Sequence, residues 1–230
     1  MQTFFVNQDE IESLHLSKEE SLHCIKVLRK QNGDLINLLN GIGDLIEAKI
    51  TEANHKKCSF KIIKTIPQTN YNPKLHIAIA PPKSMDRFDI FLEKAIEIGI
   101  SEITPIFSDH SERRKINMEK LQKQLIVACK QSLTYHFPIL NEPKSFKEII
   151  NLSNNYQNKL IGHCNLTFPR RSIIDFKTQD STVVLIGPEG DFSTKEIELA
   201  SQNTFNGIVL NNKRLRTETA GITIVTLWNF

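Results

Sequence analysis

The chain has 230 residues, 40% apolar and 24% charged, which excludes a disordered or fibrous protein and leaves room for one large domain or two small ones. No apolar run approaches the ~18 residues of a membrane-spanning helix, and the N-terminus lacks the basic-then-apolar pattern of a secretion signal, so a cytoplasmic protein without a membrane partner is expected. The formal net charge of +3 is too small to argue for nucleic acid by itself.

The first seventy residues suggest strands around one helix. Ser17 and Glu20 have the spacing of a capping box, which opens a helix running to about Lys30. Gly33-Asp34 turns the chain into a strand at Leu35–Leu39. Asn40-Gly41-Ile42-Gly43 has the composition of a hairpin turn, and alternating strands follow near Leu45–Thr51 and Cys58–Ile66. The segment Pro67 to Pro73 is polar, proline-bounded and without period. It is the linker between a small β-rich unit, residues 1–70, and a second unit, residues 74–230.

The second unit alternates strand and helix. Leu75–Ala80 is a short strand. Phe88, Phe91, Leu92, Ala95 and Ile96 then share one face of a helix that ends at Gly99. Ile103–Phe107 is the next strand, Asn117 caps a helix at Met118–Ser132, and Ser145 with Glu148 opens a shorter one near Phe146–Ile150. Strands at Lys159–His163, Thr182–Ile186 and Gly207–Leu210 complete an α/β pattern that implies a mostly parallel sheet covered on both faces.

In such sheets ligands bind beyond the carboxyl ends of the strands. Two loops there stand out. One is Gly187-Pro188-Glu189-Gly190, where two glycines let the backbone approach a ligand, followed by the capping pair Ser193 and Glu196. The other runs from Leu210 through Lys213-Arg214-Leu215-Arg216-Thr217-Glu218-Thr219-Ala220, with three cations in four positions and a carboxylate close behind. Between Arg113 and Lys130, six basic residues face Glu119 alone, an excess that suits either a phosphate backbone or a solvated helix face. Cys24, Cys58, Cys129 and Cys164 are too irregularly spaced for a zinc site or a disulfide framework, so reduced thiols and no metal are expected.

The two loops together resemble the RsmE-type ribosomal RNA methyltransferases of the SPOUT superfamily. His23 with Val27-Leu28-Arg29 and Gly33-Asp34 is similar to that family's N-terminal pattern. Lys83-Ser84-Met85-Asp86-Arg87, Glu93-Lys94-Ala95 and Glu97-Ile98-Gly99 are similar to the start of its catalytic domain, and Gln131-Ser132 fits a further position. The family usually has Gly-Gly where this chain has Gly190-Asp191, and Leu-Gly where it has Leu210-Asn211. Arginines common in the family are represented by Lys213 and Thr134.

The resemblance implies a PUA-like β-barrel for RNA binding ahead of an α/β domain with a trefoil knot, in a homodimer. It also implies S-adenosyl-L-methionine as methyl donor and N3 of a uridine in small-subunit ribosomal RNA, naked or in the 30S particle, as acceptor. Uracil N3 is a poor nucleophile until its proton leaves. Arg216 is therefore the candidate for stabilising the resulting anion, and Glu218 for accepting the proton or orienting Arg216. The donor is expected against Gly162, His163, Ile186, Gly187, Pro188, Glu189, Gly190, Leu210, Leu215, Thr217 and Ala220. His163 itself is expected to be a packed or solvent-facing histidine and not a base. Arg29, Lys83, Arg87, Arg113, Arg114, Gln131 and Ser132 are the candidates for contacts to RNA. Two alternatives stay open: a methyltransferase acting on another RNA position, and a non-catalytic RNA-binding protein.

Overall fold

The computed structural model describes residues 2–71 and 73–230. Two units divide the chain, the first made of residues 1–70 with 126–137 and the second of residues 71–125 with 138–230. The division at Asn70/Tyr71 falls inside the proline-bounded segment 67–73. The assignment of all of residues 74–230 to the second unit does not hold, because 126–137 packs with the first. Phe137 stacks on Phe5 with ring centroids 5.3 Å apart, His136 bonds the carbonyl of Gln68, and the Lys130 ammonium meets Glu20.

The first unit is a four-stranded sheet in chain order: β1 (Thr3–Phe5), β2 (Leu35–Leu39), β3 (Asp44–Glu52) and β4 (Ser59–Pro67). β1 runs parallel to β2, and the other pairs are antiparallel. This sheet stands where a PUA-like barrel was expected. The hairpin turn needs Gly43, whose φ is +112° and where a Cβ would fall 2.2 Å from the His136 ring. Inward positions of the alternating strands (Ile36, Leu38, Ile46, Ala48, Ile50 and Phe60) are buried with Phe4, Cys24 and Cys58.

Between β1 and β2 the chain forms α1 (Gln8–Ser13) and α2 (Lys18–Leu22). α1 has a complete capping box from Asn7 and Glu10, a signal the strand reading passed over. The box read at Ser17 is only half made. Ser17 accepts the Glu20 N–H at 3.1 Å, but the Glu20 carboxylate turns inward to the Lys130 ammonium and the Phe5 N–H. After Leu22 the helix widens into one π turn, His23–Val27.

In the second unit β5 (Leu75–Ile79), α3 (Met85–Ile98), β6 (Glu102–Phe107) and α4 (Met118–Ser132) follow the expected rhythm. The rest is β7 (Ile139–Leu140), β8 (Lys144–Ser145), α5 (Phe146–Leu152), β9 (Asn158–Gly162), β10 (Arg171–Ser172), β11 (Thr182–Ile186), α6 (Thr194–Gln202), β12 (Asn206–Val209) and α7 (Thr217–Asn229). The eight strands pair in parallel in the order β10-β12-β9-β11-β5-β6-β7, with β8 also on β6.

Alternate residues of the central strands cover the two faces. Val183 and Leu185 pack with Phe146, Ile149 and Ile197 of α5 and α6. On the other face α7 crosses α3 so closely that a Cβ on Gly221 would sit 2.5 Å from the Phe91 ring. β12 lies beyond β9, whereas α7 packs on β5, β11 and α3. The intervening segment, 210–216, therefore doubles back over the ends of β9 and β11. No helix among the described residues is long and apolar enough to cross a membrane.

Candidate active site

β9, β11 and β12 lie side by side in parallel, so the loops leaving their carboxyl ends converge. Between those loops lies a cavity of about 420 Å3. Its lining includes every residue expected to hold the donor except Gly190. Gly190 instead packs beside His110, where a Cβ would lie 3.1 Å from the imidazole-bearing carbon, and its carbonyl bonds His110 Nδ1. Cys164, Arg170, Asp191, Ile208, Val209 and Ile224 also line the cavity, and none of them was assigned to the donor site from the sequence. Ile224 lies one helical turn beyond Ala220, so its place on the wall follows the helical period. Arg170 has no such signal. It folds back from an irregular loop, and its guanidinium donates to the His163 carbonyl at 2.9 Å.

One wall is apolar, with Ile186, Ile208, Leu210, Leu215 and Ile224. The start of α7 is tied to the glycine loop by the Thr217 hydroxyl, which donates to the Gly187 carbonyl at 3.0 Å inside the protein. His163 is 6% exposed and meets Phe168 edge-on, so it is a packed residue. Burial pushes its pKa below the usual imidazole value; Asp191 opposes that shift, and Arg170 adds to it.

Arg216 and Glu218 point to different surroundings. Arg216 lies on the cavity wall, exposed, and its guanidinium has no hydrogen-bond or ion-pair partner among the described residues. Glu218 is buried outside the lining. Its Oε1 stands 3.9 Å from Nε of Arg87, and its Oε2 is enclosed without a partner. Orienting Arg216 is thus not a role the geometry gives to Glu218.

The RNA candidates divide in the same way. Arg87 lies between Glu189, at 3.8 Å, and Glu218, which makes it part of this site and not a free phosphate ligand. Arg113 donates to the Lys83 carbonyl at 2.7 Å, the Lys83 N–H donates to Glu189, and the Lys83 ammonium pairs with Glu112. Lys83, Arg87 and Arg113 therefore gather against the glycine loop. Arg114 bonds the Asp109 carbonyl. Arg29, exposed at a φ of +55°, belongs to the first unit, as do Gln131 and Ser132; the Ser132 hydroxyl is bonded to Ala128 and Thr134.

A family model described as an RNA methyltransferase domain matches residues 70–229, and one described as an RNA methyltransferase PUA domain matches residues 16–63. The chain is 30% identical to ribosomal RNA small subunit methyltransferase E of Mesomycoplasma hyopneumoniae, with 98% of each chain covered. A probable rRNA-methyltransferase from Porphyromonas gingivalis superimposes with a TM-score of 0.91 at 34% identity, covering 98% of this chain and 95% of that one. A Legionella pneumophila protein solved in complex with the bound cofactor SAM superimposes at 0.82 with 30% identity, covering 94% and 90%.

Proposed function

The chain belongs to the RsmE family of small-subunit ribosomal RNA methyltransferases, and on that premise we propose that it methylates N3 of one uridine in that RNA with S-adenosyl-L-methionine as donor. The observation that carries the proposal is a cavity at three adjacent strand ends with an unpaired guanidinium on its wall. About 420 Å3 lies within the ~300–1,000 Å3 usual for small-molecule sites, and glycine backbone opposite an apolar wall suits an adenine ring. The bound cofactor in the Legionella relative supports the same assignment.

When bound, the cofactor supplies a methyl group on a sulfonium. The chain's own residues orient the acceptor and stabilise its deprotonated form. Arg216 steadies the negative charge on the uracil oxygens once N3 is deprotonated, with a planar fork suited to two acceptors. Glu218, buried outside the cavity lining with one oxygen facing Arg87, positions that guanidinium beside the glycine loop, and the N3 proton leaves to solvent. The loops hold acceptor and donor at attack distance, which supplies a large share of the rate. Lys83, Arg113 and Arg114 on the second unit, and Arg29, Gln131 and Ser132 on the first, are the residues assigned to RNA contact in this reading, while Arg87 stays with Glu189 and Glu218. The working form is a cytoplasmic homodimer acting on small-subunit RNA or the 30S particle.

Mass spectrometry of ribosomal RNA from a deletion strain tests this reading. One methyluridine should vanish from the small subunit and return on complementation. An unchanged small-subunit profile would remove the assignment.

A further inference from the structure

We propose that Asp191 is a specificity residue of the donor site, whose fixed carboxylate favours the cationic S-adenosyl-L-methionine over its neutral product, S-adenosyl-L-homocysteine. The inference rests on the cofactor reading above. Asp191 stands where the resemblance leads one to expect glycine, and its φ of +63° explains why: the position is left-handed, which Gly adopts freely and Asp tolerates. This chain keeps the backbone geometry and adds a charge.

That charge is held in place. One carboxylate oxygen accepts the Cys164 N–H at 2.7 Å, and the other accepts the Phe192 N–H at 2.8 Å. Two short bonds to main chain leave the group little freedom, and the one from Cys164 ties the loop after β9 to the loop after β11. Both Cys164 and Asp191 line the cavity.

The surrounding charges make the carboxylate matter. Arg170, Lys213, Arg214 and Arg216 all line the same cavity, and none has a carboxylate within 4 Å among the described residues. Arg170 and Arg214 donate to carbonyls, of His163 and Glu189. Of the two acids on the wall, Glu189 is shared with Arg87, whereas Asp191 has no Lys or Arg within ion-pair distance. A wall with this balance repels a cation unless an acid faces it. The donor carries a sulfonium, an ammonium and a carboxylate, for one net positive charge. Methyl transfer turns the sulfonium into a thioether and leaves the product neutral, so the attraction to Asp191 exists before the reaction and is gone after it. At an effective dielectric of ~20, one such charge within ~12 Å changes relative binding by about tenfold or more.

Calorimetry with both ligands on the full-length wild type and on Asp191→Asn and Asp191→Gly tests the proposal. In both variants the ratio of the product's Kd to the donor's Kd should fall about tenfold. The wild-type ratio should also fall with added salt, which the variants' ratio should not follow. The Gly variant keeps the left-handed backbone free of strain, so the test does not depend on the Asn variant's fold. If both ligands weaken together and the ratio stays within about twofold, Asp191 merely holds the loops and the proposal is overturned. Wild-type protein that binds neither ligand would overturn the cofactor reading itself, a result distinct from an unchanged ratio.

Discussion

Arg216→Ala is expected to abolish most of the activity while leaving the fold and the donor site in place. The side chain is exposed, makes no cap bond at the start of α7 and has no partner among the described residues, so its loss changes stability by no more than ~0.5 kcal/mol. Donor affinity should hold within about threefold, because the Arg216 charge is exposed and screened by solvent. The chemical step depends on the guanidinium in a different way. A donor positioned where an oxyanion develops contributes ~2.7–4 kcal/mol, which corresponds to a fall in kcat of about a hundred- to a thousandfold. Single-turnover transfer of labelled methyl groups to small-subunit RNA gives the rate, urea unfolding gives the stability, and calorimetry gives the affinity. A rate loss below about tenfold, or 1.4 kcal/mol, would refute the assigned role. So would a full rate loss accompanied by unfolding.

Gly221→Ala places a carbon 2.5 Å from the Phe91 ring and 3.2 Å from Ile79, so α7 must shift from α3; a loss of ~1–3 kcal/mol in urea unfolding and weakened donor binding are expected. Lys130→Met leaves the Glu20 carboxylate buried without its ammonium and should cost ~3 kcal/mol, most of which Glu20→Gln in the same chain should recover; two independent, additive losses would contradict the pairing. His76 is 3% exposed, with Nε2 2.7 Å from the Thr104 hydroxyl, which also accepts from Asn141. Burial pushes its pKa down to about 4 from the ordinary 6.5, against the pull of Glu102. The folded state thus prefers neutral His76, and its contribution is whole above pH ~6.5 and lost as pH falls towards ~4, about 3 kcal/mol in all. Urea midpoints should fall across that window, and His76→Gln should flatten the fall by about one proton; an unchanged slope would assign the acid sensitivity elsewhere.

Much of the fold was legible because its signals are local. Strong amphipathic period placed α3, and capping residues placed the starts of α4, α5 and α6 where the structure has them: Asn117 accepts the Lys120 N–H, and Ser145 and Ser193 form complete boxes. The short strands β1, β7, β8 and β10 carry two or three residues each, too few to show a period. α1 was missed because its box begins with Asn7 inside a stretch that suggested strands. The wall of the cavity was also legible, since a glycine loop after one strand and a basic loop after the next already defined it.

What the sequence by itself determined is the kind of parts: a β-rich unit, a linker, an alternating α/β unit, and two loops whose residues match a methyl-transfer family. Local periodicity, capping and motif spacing are properties of neighbours along the chain. Only the tertiary structure decided which side chains face one another. It returned residues 126–137 to the first unit, turned the Glu20 carboxylate from its cap to Lys130, set Glu218 against Arg87 and away from Arg216, and fixed Asp191 between two loops. Each of these is a contact between residues far apart in the chain, made by long-range packing and charge pairing that no window of sequence contains.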